Sequence, residues 1–357
     1  MKQERVSFEN DYNTGCHPHL LKALEETNAL FTTGYGHDEF SEEARNLIKK
    51  ACLAPEAMVQ FVMGGTQANI IACVAGLKPW QGVLSADTGH INVHETGAIE
   101  AAGHKVLVTP SNDGIIDPDA IDQLCRAHYE DPSVEHTVQP GMIYVSLTSE
   151  LGTIFSLDTL KALRRAANNW NLILYVDGAR LASALTSEAA TITLPDLAKY
   201  ADMFTIGGTK CGALFGEALV VTKDDLKNNL RYMIKQRGGM LAKGRLLGVQ
   251  FRELFRDDLY YEIGRHENRM ACLLADRFKE HGYSLYTPPV SNQIFVIFKE
   301  EDEKKFKERA IFERWAVLPD QTCVCRFVTS YATTPDMITA CFSGMQEDEF
   351  HVFQKRE

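Results

Sequence analysis

This sequence predicts an α/β fold: a mainly parallel sheet covered by helices on both faces, with a smaller α+β domain at the C-terminal end. Three observations predict it. Strand-like and helix-like patterns alternate from Ala57 to Val176, the pattern of consecutive βαβ units. From Tyr283 the alternation gives way to a mixed α+β pattern. The chain is 357 residues long, more than one hydrophobic core ordinarily organises.

Taken in order, residues 1–40 read as an irregular polar arm with Asn10-Asp11-Tyr12 near its start and Thr33-Gly34-Tyr35-Gly36 near its end. Such an arm packs on a partner subunit or edges an active site. A large domain spans 41–248. It opens with a helix capped at Ser41, with Glu42 and Glu43 in its acidic first turn. Ala57 to Met63 is a strand ending at Gly64-Gly65-Thr66, and a helix opens at Gln67. Strands then fall at Val83–Ser85, Lys105–Val108, Met142–Leu147 and Leu172–Val176. The helices between them fall at Val93–Ala102, Pro118–His128 and Leu157–Asn168. Two more strands, Asp202–Ile206 and Ala218–Val221, flank a glycine-rich turn. A long helical stretch runs from Leu226 to His281, interrupted at Gly238-Gly239. The C-terminal domain, 249–357, adds strands at Gln293–Phe298 and Cys323–Thr329 and helices at Glu303–Arg314 and from Pro335 onward.

Composition narrows the function classes. The chain is 45% hydrophobic and 24% charged, with 37 basic against 48 acidic side chains and a net charge of -11. That balance opposes a general nucleic-acid or anionic-membrane surface and suits an enzyme of small molecules. Met1-Lys2-Gln3-Glu4-Arg5 leads into polar residues without an apolar core of a leader, and no apolar stretch reaches membrane-spanning length. The nine cysteines sit mostly in apolar patterns and read as small buried hydrophobes of a reducing compartment, so a cytoplasmic location is expected.

Several residues carry chemistry. Lys210 lies between Ile206-Gly207-Gly208-Thr209 and Cys211-Gly212-Ala213-Leu214-Phe215-Gly216, without charged neighbours. Desolvation there lowers the pKa of an amine and suits it to attack a carbonyl; a solvated stem is the ordinary alternative. Gly64-Gly65-Thr66 stands between strand and helix, where N–H groups and the helix dipole hold a phosphate monoester; a plain turn fits the same residues. Asp177 ends a buried strand, placed to pair with a protonated ring nitrogen or to cap the next helix, and Arg180 follows one turn on. His90 and His94 are spaced i, i+4, but the neighbouring Glu95 falls outside the His-Glu-x-x-His order, so zinc is not expected and no metal site is assigned. Arg326 is a charge inside a strand of the small domain, half-exposed or set to meet a carboxylate.

Together these pieces suit the aldehyde, ring nitrogen and phosphate of pyridoxal 5'-phosphate. Over nearly the whole chain the sequence resembles the threonine aldolase / β-eliminating lyase family of fold-type-I pyridoxal phosphate enzymes, closest to its phenylserine aldolase-like branch. The resemblance rests on Gly65-Thr66-Gln67-Ala68-Asn69, His90 with Glu95-Thr96-Gly97, Asp177-Gly178-Ala179-Arg180, Thr209-Lys210, Gly238-Gly239-Met240 and Arg326-Phe327-Val328-Thr329. It implies a seven-stranded-type mixed sheet. It also implies that Lys210, with Thr209 beside it, forms the Schiff base, that Asp177 pairs with the ring nitrogen, and that His90 stacks on the ring. Gly65, Thr66 and Gln67 would bind phosphate, Arg180 and Arg326 the substrate carboxylate, and His94 would act as base for the β-hydroxyl proton. Asn10 stands where relatives carry a serine that meets substrate. Tyr35 and Lys243 would reach the site of a neighbouring subunit in a homodimer or homotetramer.

The implied reaction is retro-aldol cleavage of an L-β-hydroxy-α-amino acid to glycine and an aldehyde. β-Elimination or transamination on the same cofactor, and a cofactor-free relative, are the alternatives. Departures from the family pattern lie in the pocket for the β-substituent: His94 replaces a tyrosine, and Thr148-Ser149-Glu150 replaces a Thr-His-Asn segment.

Overall fold

The computed structural model describes residues 5–343. The arm begins with β1 (Val6–Ser7) and leads into α1 (Pro18–Thr27) and α2 (Glu39–Ala51). The βαβ region follows with β2 (Met58–Val62), α3 (Gly65–Gly76), β3 (Gln81–Ala86), α4 (His90–Val93), α5 (Ala98–Ala101) and β4 (Val106–Thr109). A small hairpin of β5 (Ser111–Asn112) and β6 (Ile115–Ile116) precedes α6 (Pro118–Glu130), β7 (Gln139–Ser146), α7 (Leu157–Trp170) and β8 (Ile173–Asp177). Next come α8 (Leu181–Thr186), α9 (Leu194–Tyr200), β9 (Met203–Gly207) and β10 (Glu217–Val221).

The central sheet has the order β2-β10-β9-β8-β7-β3-β4. β10 runs antiparallel to both neighbours, whereas the pairs from β9 to β4 are parallel. Strands buried on both faces read as nearly unbroken apolar runs, which is how Ile173 to Val176 could be recognised. Alternate residues face opposite ways. Ile173 and Tyr175 pack with Ala68 and Ile71 of α3, and Leu174 and Val176 with Leu160 and Leu163 of α7. The parallel strands bring the carboxyl ends of β7 and β8 to one edge, where open α/β sheets bind ligands.

Beyond the sheet lie α10 (Asp224–Lys227), α11 (Leu230–Gln236), α12 (Arg245–Arg256) and α13 (Leu259–Glu280). The C-terminal body follows with β11 (Gln293–Phe298), α14 (Glu300–Lys307), β12 (Ala310–Ile311), β13 (Glu313–Val317), β14 (Cys323–Val328) and α15 (Pro335–Phe342). Its three-stranded antiparallel sheet, β11-β14-β13, covers an aromatic core in which Phe327 stacks on Phe312 and meets Phe278 edge-on. α13 belongs to both cores: Tyr260 and Ile263 pack with the large sheet, Leu274 and Phe278 with the small one. The arm joins the small body, because β1 pairs in parallel with β12 and Phe8 is fully buried in the aromatic core.

Four local expectations are corrected. The cap of α2 is Asp38, whose carboxylate accepts from the Ser41 N–H, so the helix starts earlier than Ser41. The expected helix Val93–Ala102 is two short helices, because Thr96 and Gly97 both adopt left-handed backbone (φ 53° and 70°). The stretch from Leu226 breaks again at Asn229 and Asp258, each also at positive φ. The expected helix Glu303–Arg314 ends at Lys307, and Glu313–Val317 is instead an edge strand. Among the described residues no helix is long and apolar enough to cross a membrane. The leader reading of Met1 to Glu4 lies outside the described residues.

Candidate active site

A cavity of about 510 Å³ opens at the carboxyl edge of the sheet, between the large domain and β13 and β14 of the small one. Lys210, Asp177, Gly65, Thr66, His90, His94, Thr209, Arg180 and Arg326 all line it. Residues separated by more than 250 positions therefore meet in one place, as the sheet topology requires.

Lys210 stands on the loop joining β9 to β10. That loop is pinched at its neck, where the Gly208 and Thr209 N–H groups both donate to the Gly216 carbonyl at 3.1 Å. The Thr209 hydroxyl accepts from the Gly216 N–H at 2.9 Å. Gly216 sits at φ 109°, where a side chain would be strained and would meet Leu247, so glycine is needed there. Burial, and then the charge of Arg180, hold the Lys210 amine below its ordinary value; Asp11, Asp177 and Glu217 pull the other way.

Asp177, the last residue of β8, is held from four directions. Its Oδ1 accepts from the Ala179 N–H (3.0 Å) and the Thr205 hydroxyl (3.3 Å), and its Oδ2 from the Tyr144 hydroxyl (2.7 Å) and Asn69 Nδ2 (3.2 Å). The network closes on itself. Asn69 donates to Glu95 (2.7 Å), Glu95 accepts from the His90 ring (2.9 Å), and the His90 backbone N–H donates to Glu150 (3.0 Å). Ser146 donates to Glu150 (2.8 Å) and also contacts the Tyr144 hydroxyl (3.2 Å), returning to Asp177. A closed circuit of buried and half-buried hydrogen bonds holds its members in place and pre-organises the floor of the cavity.

The start of α3 is built differently from the capped helices. Gly64 at its N-cap supplies no side-chain hydrogen bond, and a Cβ added at Gly64 or Gly65 would meet nothing within 4 Å. The first amides of the helix therefore face open space at the cavity with the positive end of the helix dipole behind them, a ready anion site. Gln67 is not in the cavity lining; its side chain accepts from the Met63 N–H and donates to the Arg237 carbonyl, tying α3 to the turn after α11.

Two arginines enter from opposite walls. Arg180 is forked onto Asp11 of the arm, with Nε to Oδ2 at 2.7 Å and Nη2 to Oδ1 at 3.1 Å, and Asn292 donates to the same carboxylate at 2.9 Å. Arg326 lies over the Trp315 ring at 5.0 Å, paired with Glu313 and bonded to Gln293, while its Nε is buried with no protein partner. The Trp315 ring also faces His94, with centroids 5.7 Å apart. Burial, then His90 and Arg326, push the His94 imidazole below its ordinary range, which favours the neutral ring.

Besides Gln67, three expected residues lie outside this cavity. Asn10 uses its side chain on the Tyr12 N–H; its neighbours Asp11 and Tyr12 are the ones that reach the site. Tyr35 is 46% exposed, on a loop whose N–H donates to the Ala242 carbonyl, and Lys243 is exposed beside that contact. Neither lines its own chain's cavity. Asp11, Tyr144, Glu150, Glu217, Glu313 and Trp315 were not singled out as site residues. For Asp11 the available signal was an acid in a polar arm; for Glu217 it was an acid at the start of an otherwise apolar strand.

Residues 23–301 match the family model for β-eliminating lyases. The chain belongs to the threonine aldolase / β-eliminating lyase family. This lyase is similar in structure to a threonine aldolase from Leishmania major, with a TM-score of 0.90 and 42% identity, covering 94% of this chain and 97% of that one. It is 27% identical to the low specificity L-threonine aldolase of Pseudomonas aeruginosa, covering 84% of this chain and 86% of the relative. Aspartate aminotransferase from Thermus thermophilus shares the fold of the lyase at a TM-score of 0.68 and 15% identity, covering 95% and 90% of the two chains.

Proposed function

We propose that the lyase is a pyridoxal 5'-phosphate-dependent aldolase that cleaves L-β-hydroxy-α-amino acids to glycine and an aldehyde. The observation that carries this reading is the half-buried Lys210 in one cavity with the Asp177 carboxylate and the uncapped amides of α3. The cofactor, when bound, supplies an aldehyde for the amine and a ring that withdraws electrons from the bond being broken. Gly65 and Thr66, with the backbone N–H of Gln67, would hold its phosphate, Asp177 would pair with its ring nitrogen, and His90 would pack on its ring. Thr209 keeps the Lys210 loop pinched.

Arg180 and Arg326 hold the substrate carboxylate from opposite sides, Arg180 with the edge that Asp11 leaves unused and Arg326 with its unpartnered Nε. That grip turns the Cα–Cβ bond toward the face where His94 stands. His94, whose neutral form its surroundings favour, takes the β-hydroxyl proton, and the electron pair of the O–H bond then drives departure of the aldehyde. Tyr35 and Lys243 complete the site of a neighbouring copy in a homo-oligomer. Incubation with L-threonine, L-allo-threonine and phenylserine is expected to release glycine; if no glycine forms from any of the three, the aldolase reading fails.

The wall made by Trp315 and His94 favours an aryl β-substituent. Trp315→Ala is expected to lower the ratio of kcat/KM for phenylserine over threonine by about 10- to 100-fold. An unchanged ratio would remove Trp315 from substrate selection.

A further inference from the structure

Glu217 has no part in the chemistry above, yet it lines the same cavity as Lys210. It is the first residue of β10, registered opposite Gly207 of β9, so it stands at the neck of the very loop that carries Lys210. Its carboxyl is buried (4% exposed), and its Oε2 accepts from the Gly208 N–H at 2.8 Å. That bond fixes the acid to the loop two residues before the amine. A buried acid held by a backbone N–H and not by a counter-charge ordinarily costs stability, so its place in the lining of the Lys210 cavity calls for a reason.

We propose that Glu217 is the proton partner of Lys210, a positioning residue that takes the proton from the lysine ammonium when the free amine is needed and returns it afterwards. The proton leaves Nζ with the N–H electron pair remaining on nitrogen and is relayed by one water of the cavity, which takes it and gives up a proton of its own to a carboxylate oxygen of Glu217; the reverse step restores both groups. The inference rests on Lys210 being the reactive amine of the reading above.

The surroundings suit such a shared proton. Burial pushes the Glu217 carboxyl up to about 8, opposed by the Gly208 N–H, the Thr209 hydroxyl and Lys210, and reinforced by Asp177 of β8. Lys210 is held down by burial and Arg180. Asp11 of the arm also acts on the amine, and Cys211 and Tyr260 face the acid from the Lys210 loop and α13. Two coupled groups moved toward one another lose their protons in two steps that belong to the pair.

The test is trace acetylation of Lys210 with acetic anhydride across pH, read by peptide mass spectrometry. It uses the full-length chain after hydroxylamine has stripped any bound aldehyde. Wild type is expected to show a two-step rise of Lys210 reactivity. Glu217→Gln keeps an acceptor for the Gly208 N–H but removes the acid. It is expected to show one step, with its midpoint lower by about one pH unit because the ammonium loses its counter-charge. An unchanged or higher midpoint in the variant overturns the proposal. If the variant does not fold, as judged by circular dichroism, a single-step wild-type profile overturns it equally. Because the labelling involves no pyridoxal phosphate, failure of the cofactor reading would show separately, as a protein from which hydroxylamine releases nothing.

Discussion

Lys210→Ala is expected to abolish glycine formation, lowering turnover by at least about a thousandfold, while the protein stays folded. The asymmetry follows from where the amine sits. Removing an amine that desolvation already holds below its ordinary value takes away a group that is costly to keep charged there. The loop does not depend on it, because its neck is closed by Gly208, Thr209 and Gly216. Thermal unfolding should shift by a few degrees at most, and visible absorbance from bound pyridoxal phosphate should vanish. Retained visible absorbance, with turnover within tenfold of wild type, would show that another amine does this work.

The second large effect is on stability. Asp11→Ala is expected to cost about 3–5 kcal/mol at neutral pH, because it strands the Arg180 guanidinium without its counter-charge. Burial alone would raise the Asp11 carboxyl. The charges of Arg180 and Lys210 and the bonds from Arg180 and Asn292 outweigh that and hold it below 3.8. A depressed folded-state value means the stabilisation is fully present above the unfolded value and is lost as pH falls through the folded one. The gap between wild type and variant should therefore be widest near neutrality and close below about pH 3.8. Denaturant unfolding at pH 7 and thermal scans toward pH 3 would measure it; a pH-independent gap would contradict this account.

Much of the site was legible because its residues sit where local pattern and chemistry coincide. Asp177 ends an apolar strand, Gly65 and Thr66 open a helix, and Lys210 interrupts a glycine-rich turn. Asp11 was not legible: its partner is 169 residues away, and no local period announces a pairing across the fold. Trp315 was hidden by a period error. The Lys- and Glu-rich run after Glu303 suits a helix, but α14 stops at Lys307 and the chain turns into β12 and β13. That strand can form only because β14 is there to pair with it. Helix α5 failed for the opposite reason, since left-handed Thr96 and Gly97 break a continuous helical pattern. The curled backbone there brings Glu95 back to Asn69 and His90.

The arm has a mechanical consequence. Phe8 is fixed to the small body by hydrogen bonds to Ile311 and from Val328, and three residues later Asp11 is bolted to Arg180 of the large domain. Three residues of fully extended chain reach about 11 Å. The arm is therefore a leash of fixed length across the mouth of the cavity. Separation of the small body from the large domain beyond that reach must tear out either the buried ion pair or the two strand bonds.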